Sequence, residues 1–239
     1  MTPFGLGLYA LTDAARLIRT EPRSIRRWLY GHTYTTGHGE HRMRRTSPAL
    51  WAPQYNRDEL GEAVIGFQDL LELRVIRQFV DHGVPLAVVR RCLNTAHEVF
   101  GAAYPLTRRR FVTDGATLFA ESLEAEARAS EQDGDLLNLS NRQYTFKTII
   151  KDSLYTGIEY EDGQARRWYP EQRSKVVVMD PALQFGHPMI EESGVPTASL
   201  YACYLAENRQ KAVVARVFEV PIKQVEAAVR FEEKLRQVA

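Results

Sequence analysis

Cysteine is almost missing from the 239 residues: Cys92 and Cys203 stand far apart, without zinc-ligand spacing. That excludes a disulfide-stapled scaffold and a thiol metal site. No apolar run approaches the ~20 residues that a membrane helix requires. The opening MTPFGLGLYALTDAAR has neither a basic leading region nor a long apolar stretch, so no secretory signal, no membrane association and a cytoplasmic location are expected. The chain also lacks a Gly-rich phosphate loop, a nucleophile elbow and an HExxH pair, so no enzymatic activity and no cofactor are expected. Glu121, Glu124 and Glu126 sit close to helical spacing and read as a solvated helix face rather than a metal-dependent nuclease site. Net charge is nearly absent too, at +1.

What is present is a charge asymmetry. Arg16 to Arg45 holds eight arginines against two glutamates, whereas Leu118 to Leu136 holds six acids against one arginine. One face is expected to bind anions and another to repel them. The length suits one large domain or two to three small ones.

The fold class expected is mainly α with small β elements: a winged helix-turn-helix domain and a C-terminal three-helix helix-turn-helix domain. The boundaries read as 1–104, a mixed hairpin and helix region over 105–172, and 173–239. Thr12 is the expected N-cap of a first helix with Ala14, Ala15 and Ile18 on one face. A second helix spans Pro22 to Tyr30, where Pro22 costs no helical hydrogen bond and Gly31 stops the run. A third covers about 66–81, with Leu70, Leu73, Ile76 and Val80 as its buried stripe, and Pro85 opens a fourth that runs to Phe100. Two Asp-Gly pairs predict hairpins. Asp114-Gly115 joins residues 111–113 to 116–120, and Asp162-Gly163 joins 158–161 to 164–168. A helix is expected over 143–154 and a short strand over 176–179. Three helices close the chain, at about 198–207, 210–218 and 221–238. Their stripes are Val213, Val214, Val217 and Phe218, then Ile222, Val225, Val229 and Leu235.

The sharpest feature lies between Leu11 and Gly31. A short turn at Arg19-Thr20-Glu21 separates two helices, and the second turns Ile25, Trp28 and Leu29 inward. Arg23, Ser24, Arg26, Arg27 and Tyr30 fall on the opposite face. A DNA recognition helix needs this division, because one face docks on a scaffold while the other offers donors to guanine edges and phosphates. Arginine suits both tasks, being always charged and able to donate a bidentate fork. His32 to Arg45 then reads as a wing or arm, with Arg42, Arg44 and Arg45 reaching the backbone or minor groove. His32, His38 and His41 read as exposed loop residues rather than metal ligands, and no metal is expected. Arg108-Arg109-Arg110 reads as a charged strand start. The last helix carries mixed charge, which favours a partner or dimer surface, with Tyr201 and Tyr204 as the candidate contact residues.

Tyr9-Ala10-Leu11-Thr12-Asp13-Ala14-Ala15 and Pro22-Arg23-Ser24-Ile25-Arg26-Arg27-Trp28-Leu29 resemble the start of MerR-type regulators. Phe67 to Arg74 and Gly83-Val84-Pro85-Leu86 continue that likeness. Asp180-Pro181, Phe185-Gly186-His187-Pro188, Val195-Pro196-Thr197 and the helix through Val225 to Phe231 resemble a small helix-turn-helix domain common in bacterial antitoxins. The usual Gly-Thr-Arg-Ile element is replaced here by Glu192-Ser193-Gly194-Val195. The combination is similar to mycobacterial VapB-type antitoxins. That resemblance covers about two-thirds of the chain. It implies an operon repressor that binds double-stranded operator DNA and holds a PIN-like ribonuclease toxin inactive. DNA contact would lie in the N-terminal half and toxin contact in the C-terminal half. A homodimer is expected, because one such helix reads few base pairs. The runner-up is a MerR-like regulator that responds to a small ligand and has no toxin partner. A third reading is an interaction adaptor with no role at DNA.

Overall fold

The computed structural model describes residues 5–37, 42–56, 62–131, 155–171 and 173–237. About half of the described residues are helical and the strands are short, so the architecture is mainly α with small β elements. Strand β1 (Tyr9–Ala10) pairs antiparallel with β4 (Val64–Ile65). Helix α1 (Leu11–Ile18) begins directly after β1, with Ala10 in extended conformation as its N-cap. Thr12 therefore lies inside the first turn and is not the cap: the pairing of β1 holds the backbone extended through Ala10, and the helix starts at the next residue. Arg19, in left-handed conformation, closes α1, and after a short turn α2 (Pro22–Tyr30) follows. Next come β2 (His32–Thr36) and β3 (Met43–Ser47), then α3 (Phe67–Asp81) and α4 (Leu86–Phe100).

Residues 111–120, expected as a hairpin, belong instead to one helix, α5 (Arg109–Glu131). Phe111, Gly115, Leu118, Phe119, Ser122 and Leu123 are buried at helical spacing, and the Phe119 ring stacks on Phe79 at 5.2 Å. A Cβ on Gly115 would meet the Phe111 ring at 2.9 Å, so this glycine admits a ring and does not supply a turn. Arg109 starts the helix, and Arg110 bonds Asp114 one turn on at 3.0 Å. Glu124 and Glu126 pair with Arg128 and Arg91. The second Asp-Gly pair forms the expected hairpin: β5 (Ile158–Glu161) pairs with β6 (Gln164–Trp168) through Asp162 and Gly163, both at positive φ. The helix expected over 143–154 lies outside the described residues.

Strand β7 (Val177–Val178) pairs with β8 (Met189–Ile190), separated by a 3₁₀ turn at Gln184–Gly186. Helices α6 (Thr197–Ala206), α7 (Lys211–Val217) and α8 (Ile222–Arg236) complete the chain. Three residues placed on buried stripes are exposed: Val80 at 38%, Val217 at 60% and Ile222 at 48%. Each lies within the last or first turn of its helix.

One apolar cluster joins α1 to α5 with β5 and β6, and a second joins α6, α7 and α8 with β7 and β8. Leu17 packs on both. Polar clasps fasten them together. The Tyr9 hydroxyl donates to the Gly186 carbonyl at 2.7 Å, and Asp180, buried, accepts from Arg166 and Arg167 of β6, each at 2.8 Å.

Helix α3 also buries a carboxylate. Glu72 accepts the Leu106 and Thr107 N–H groups at 3.0 and 3.1 Å, and burial pushes its pKa up to about 8. A folded pKa above the unfolded value means stability is fullest below the ordinary carboxylate range and is lost as pH rises through 8. The same sign holds for Asp69, which burial also raises. The urea midpoint is thus expected to rise as pH falls from 8 towards 5, and Glu72→Gln should flatten that profile. A flat wild-type profile would contradict this placement of Glu72.

Candidate nucleic-acid interface

Helix α2 divides as its sequence demands. Ile25, Trp28 and Leu29 are buried in the larger core, while Arg23, Arg26 and Arg27 are exposed and Ser24 is half-buried. Arg26 and Arg27 have no ion-pair or hydrogen-bond partner among the described residues. Arg23 contacts Glu21, but both side chains are largely exposed, at 73% and 59%. An exposed pair of that kind is worth at most about 1 kcal/mol, so it does not withhold the guanidinium from a stronger anion. Tyr30 departs from the expected outward row. It is half-buried against the core, because the chain returning from the next hairpin crosses the end of α2, where the Leu50 N–H donates to the Trp28 carbonyl at 2.8 Å.

The arm after α2 is an antiparallel hairpin with Tyr34 opposite Arg45 and Thr35 opposite Arg44. Arg42, Arg44 and Arg45 are all exposed and have no carboxylate partner among the described residues. Alternation along β3 puts Arg45 beside Tyr34 and Met43 on one face and Arg44 on the other. Tyr34, 43% exposed, and Met43, 61% exposed, show that neither strand is packed on a core. A hairpin solvated on both faces gains little from burial, so its order depends on its base. His38 and His41 lie outside the described residues. His32 belongs to β2, and its ring sits 5.6 Å from that of Tyr34.

The base is built with care. Gly31 has φ +70° and ψ 177°, a region open essentially to glycine alone. A Cβ there would lie 2.6 Å from the Ser47 carbonyl oxygen. From α4, Arg90 donates to the Ala49 and Pro48 carbonyls at 2.9 and 3.0 Å and to the Ser47 hydroxyl at 3.1 Å. Burial pulls its pKa below the ordinary arginine value. Asp69 at the start of α3 accepts from Trp51 Nε1, Gln54 N and Gly66 N at 2.8, 2.9 and 3.0 Å. The segment leaving the hairpin is thereby pinned to two helices. Gly31→Ala is expected to lower unfolding free energy by about 3 kcal/mol, measured in urea; a change below ~1 kcal/mol would deny the glycine this role.

Sequence reasoning missed Tyr34, Arg90 and Asp69. Tyr34 had a signal, since it alternates with threonines in a short β-branched run. Arg90 and Asp69 had none, because on isolated helices each reads as an ordinary surface charge.

In the C-terminal half, Tyr201 is not exposed, contrary to expectation. It is 8% accessible, and the Arg236 guanidinium lies 4.1 Å from its ring centroid. Tyr204 is half-buried against the same core. Helix α8 packs on α6, and its Arg236 covers the Tyr201 ring. The exposed apolar residues after β6 are Leu183, Phe185, Leu205, Val217 and Ile222.

No family model matches the chain. Over 202 residues it is 24% identical to a Mycobacterium tuberculosis protein named "Putative antitoxin VapB45", with 82% of each chain aligned. The crystal structure of Rv2018 from Mycobacterium tuberculosis has the same fold, with a TM-score of 0.62, 22% identity, and coverage of 95% of this chain and 98% of that one. No described helix is long and apolar enough to cross a membrane.

Proposed function

We propose that this chain is an antitoxin that binds its own operator DNA as a repressor and neutralises a PIN-like ribonuclease toxin. The observation that carries the DNA half is the surface of α2 and its hairpin. Arg26, Arg27, Arg42, Arg44 and Arg45 are exposed cations without carboxylate partners among the described residues, carried by a helix docked on the core and a hairpin pinned at its base by Arg90. Helix α1, helix α2 and the hairpin then act as a winged helix-turn-helix. Arg23, Ser24, Arg26 and Arg27 enter the major groove, and Arg42, Arg44 and Arg45 grip the backbone. Tyr30 supports α2 from behind. Each phosphate neutralised releases counterions, so affinity falls steeply with salt.

The toxin half is supported by the likeness to the mycobacterial protein named as an antitoxin. The toxin contact is placed on the C-terminal helices, where Val217 and Ile222 flank the α7–α8 turn as exposed apolar side chains. Two copies on adjacent half-sites would give an operator of useful specificity. The experiment is coexpression with the product of the neighbouring reading frame. Co-purification of a small ribonuclease, inactive until the pair is separated, supports the reading. A lone protein that protects its own upstream DNA would favour a ligand-responsive regulator without a toxin.

A further inference from the structure

A second basic surface lies away from the hairpin, where the two cores meet. A cleft of about 560 Å³ opens between the end of α1, helix α3, the segment after β6, and helix α8. Six cations line it: Arg19, Arg74, Arg77, Arg173, Arg230 and Lys234. Against them stands one lining carboxylate, Glu171, which accepts from Arg230 at 3.0 Å and Lys234 at 2.7 Å. Asp81, outside the cleft, pairs with Arg77 at 2.7 Å. Arg19 and Arg173 have no carboxylate partner among the described residues.

The walls between these charges are apolar. Leu17, Trp168, Phe231 and Leu235 line them, and the Arg74 guanidinium lies 5.1 Å from the centroid of the Trp168 ring. Burial lowers Arg74 to about 10, which leaves it charged at neutral pH but poorly solvated. The Trp168 indole N–H, buried in the same region, has no hydrogen-bond partner among the described residues. A concave site of this size, with apolar walls set between converging charges, suits a small molecule that carries both an anionic group and an apolar body. A solvated basic face has no reason to be concave or to pack its arginine over an indole.

We propose that this cleft binds a small organic anion, one with a phosphate or carboxylate group on a flat apolar body. The anionic group meets Arg173, Arg230 and Lys234, and the apolar body lies on the walls formed by Trp168 and Phe231. Because α1 and α8 both border the cleft, an occupant bridges the helix pair that carries α2 and the C-terminal module.

The test is calorimetric titration of the full-length protein with 1-naphthyl phosphate, with inorganic phosphate and naphthol titrated separately. Saturable binding of the aromatic phosphate, tighter than that of either fragment, is expected. In the Arg173→Ala/Lys234→Ala double variant, whose changes fall on exposed or half-exposed side chains, affinity should drop about tenfold. The Arg44→Ala/Arg45→Ala variant in the hairpin should bind the probe as the wild type does. No saturable binding, or binding indifferent to Arg173 and Lys234, overturns the proposal. So does a double variant that binds the probe normally but a short mixed-sequence DNA duplex less well, which would make the cleft part of the nucleic-acid footprint.

Discussion

Replacing Arg26 and Arg27 together by alanine is expected to weaken operator binding about a hundredfold without unfolding the protein. Both side chains are exposed and unpaired among the described residues, so their loss leaves no buried charge and removes no packing. Ile25, Trp28 and Leu29 continue to dock the helix. The effect should be selective. Substitution at Arg26 or Arg27 relaxes sequence preference if those side chains read base edges, whereas Arg44→Ala/Arg45→Ala weakens binding to all sequences alike and reduces the salt slope by about 2. Fluorescence anisotropy with a labelled duplex from upstream of the gene separates these outcomes. An unchanged affinity in the Arg26/Arg27 variant would mean that α2 is not the reading helix.

The second large effect belongs to Asp180. Its carboxylate is 1% accessible and holds Arg166 and Arg167 while also accepting the Ala182 N–H at 2.9 Å. Asp180→Ala removes a buried ion-pair hub and leaves the two arginines, each more than a third exposed, to water. With no buried charge left behind, the loss of the hydrogen bonds to this carboxylate is expected to cost about 2 kcal/mol in urea unfolding. Because this clasp ties β6 to the loop that precedes the C-terminal helices, the variant should also unfold in two resolved steps where the wild type unfolds in one. A single transition with an unchanged midpoint would show that the apolar contacts through Leu17 and the Tyr9–Gly186 hydrogen bond suffice to join the cores.

The residues of the candidate interface show which signals a sequence carries. The division of α2 was legible because helical spacing alone separates Ile25, Trp28 and Leu29 from the arginines. The β5–β6 hairpin was legible because nothing competes with Asp162-Gly163 for the turn. The same dipeptide misled at Asp114-Gly115, where the large apolar residues at 111, 118 and 119 fit a helix and the glycine makes room for Phe111. Tertiary packing overrode a strong local turn preference there.

Buried polar groups were the least legible. Gln68, Asp69 and Glu72 lie off the apolar stripe of α3, yet all three are buried. Their partners, at Gln54, Trp51, Leu106, Thr107 and Ala165, come from segments distant in sequence. Tyr201 failed for a related reason, since the spacing of α6 gave no indication that α8 would cover it. Long-range pairing leaves no period in the chain.

The most direct measurement is the salt dependence of binding by the wild-type protein to its own upstream DNA. Arg42, Arg44 and Arg45, each meeting one phosphate, predict a log–log slope of about −3 for each bound copy. A slope near zero, or no binding at low salt, would contradict the claim that this surface grips a duplex.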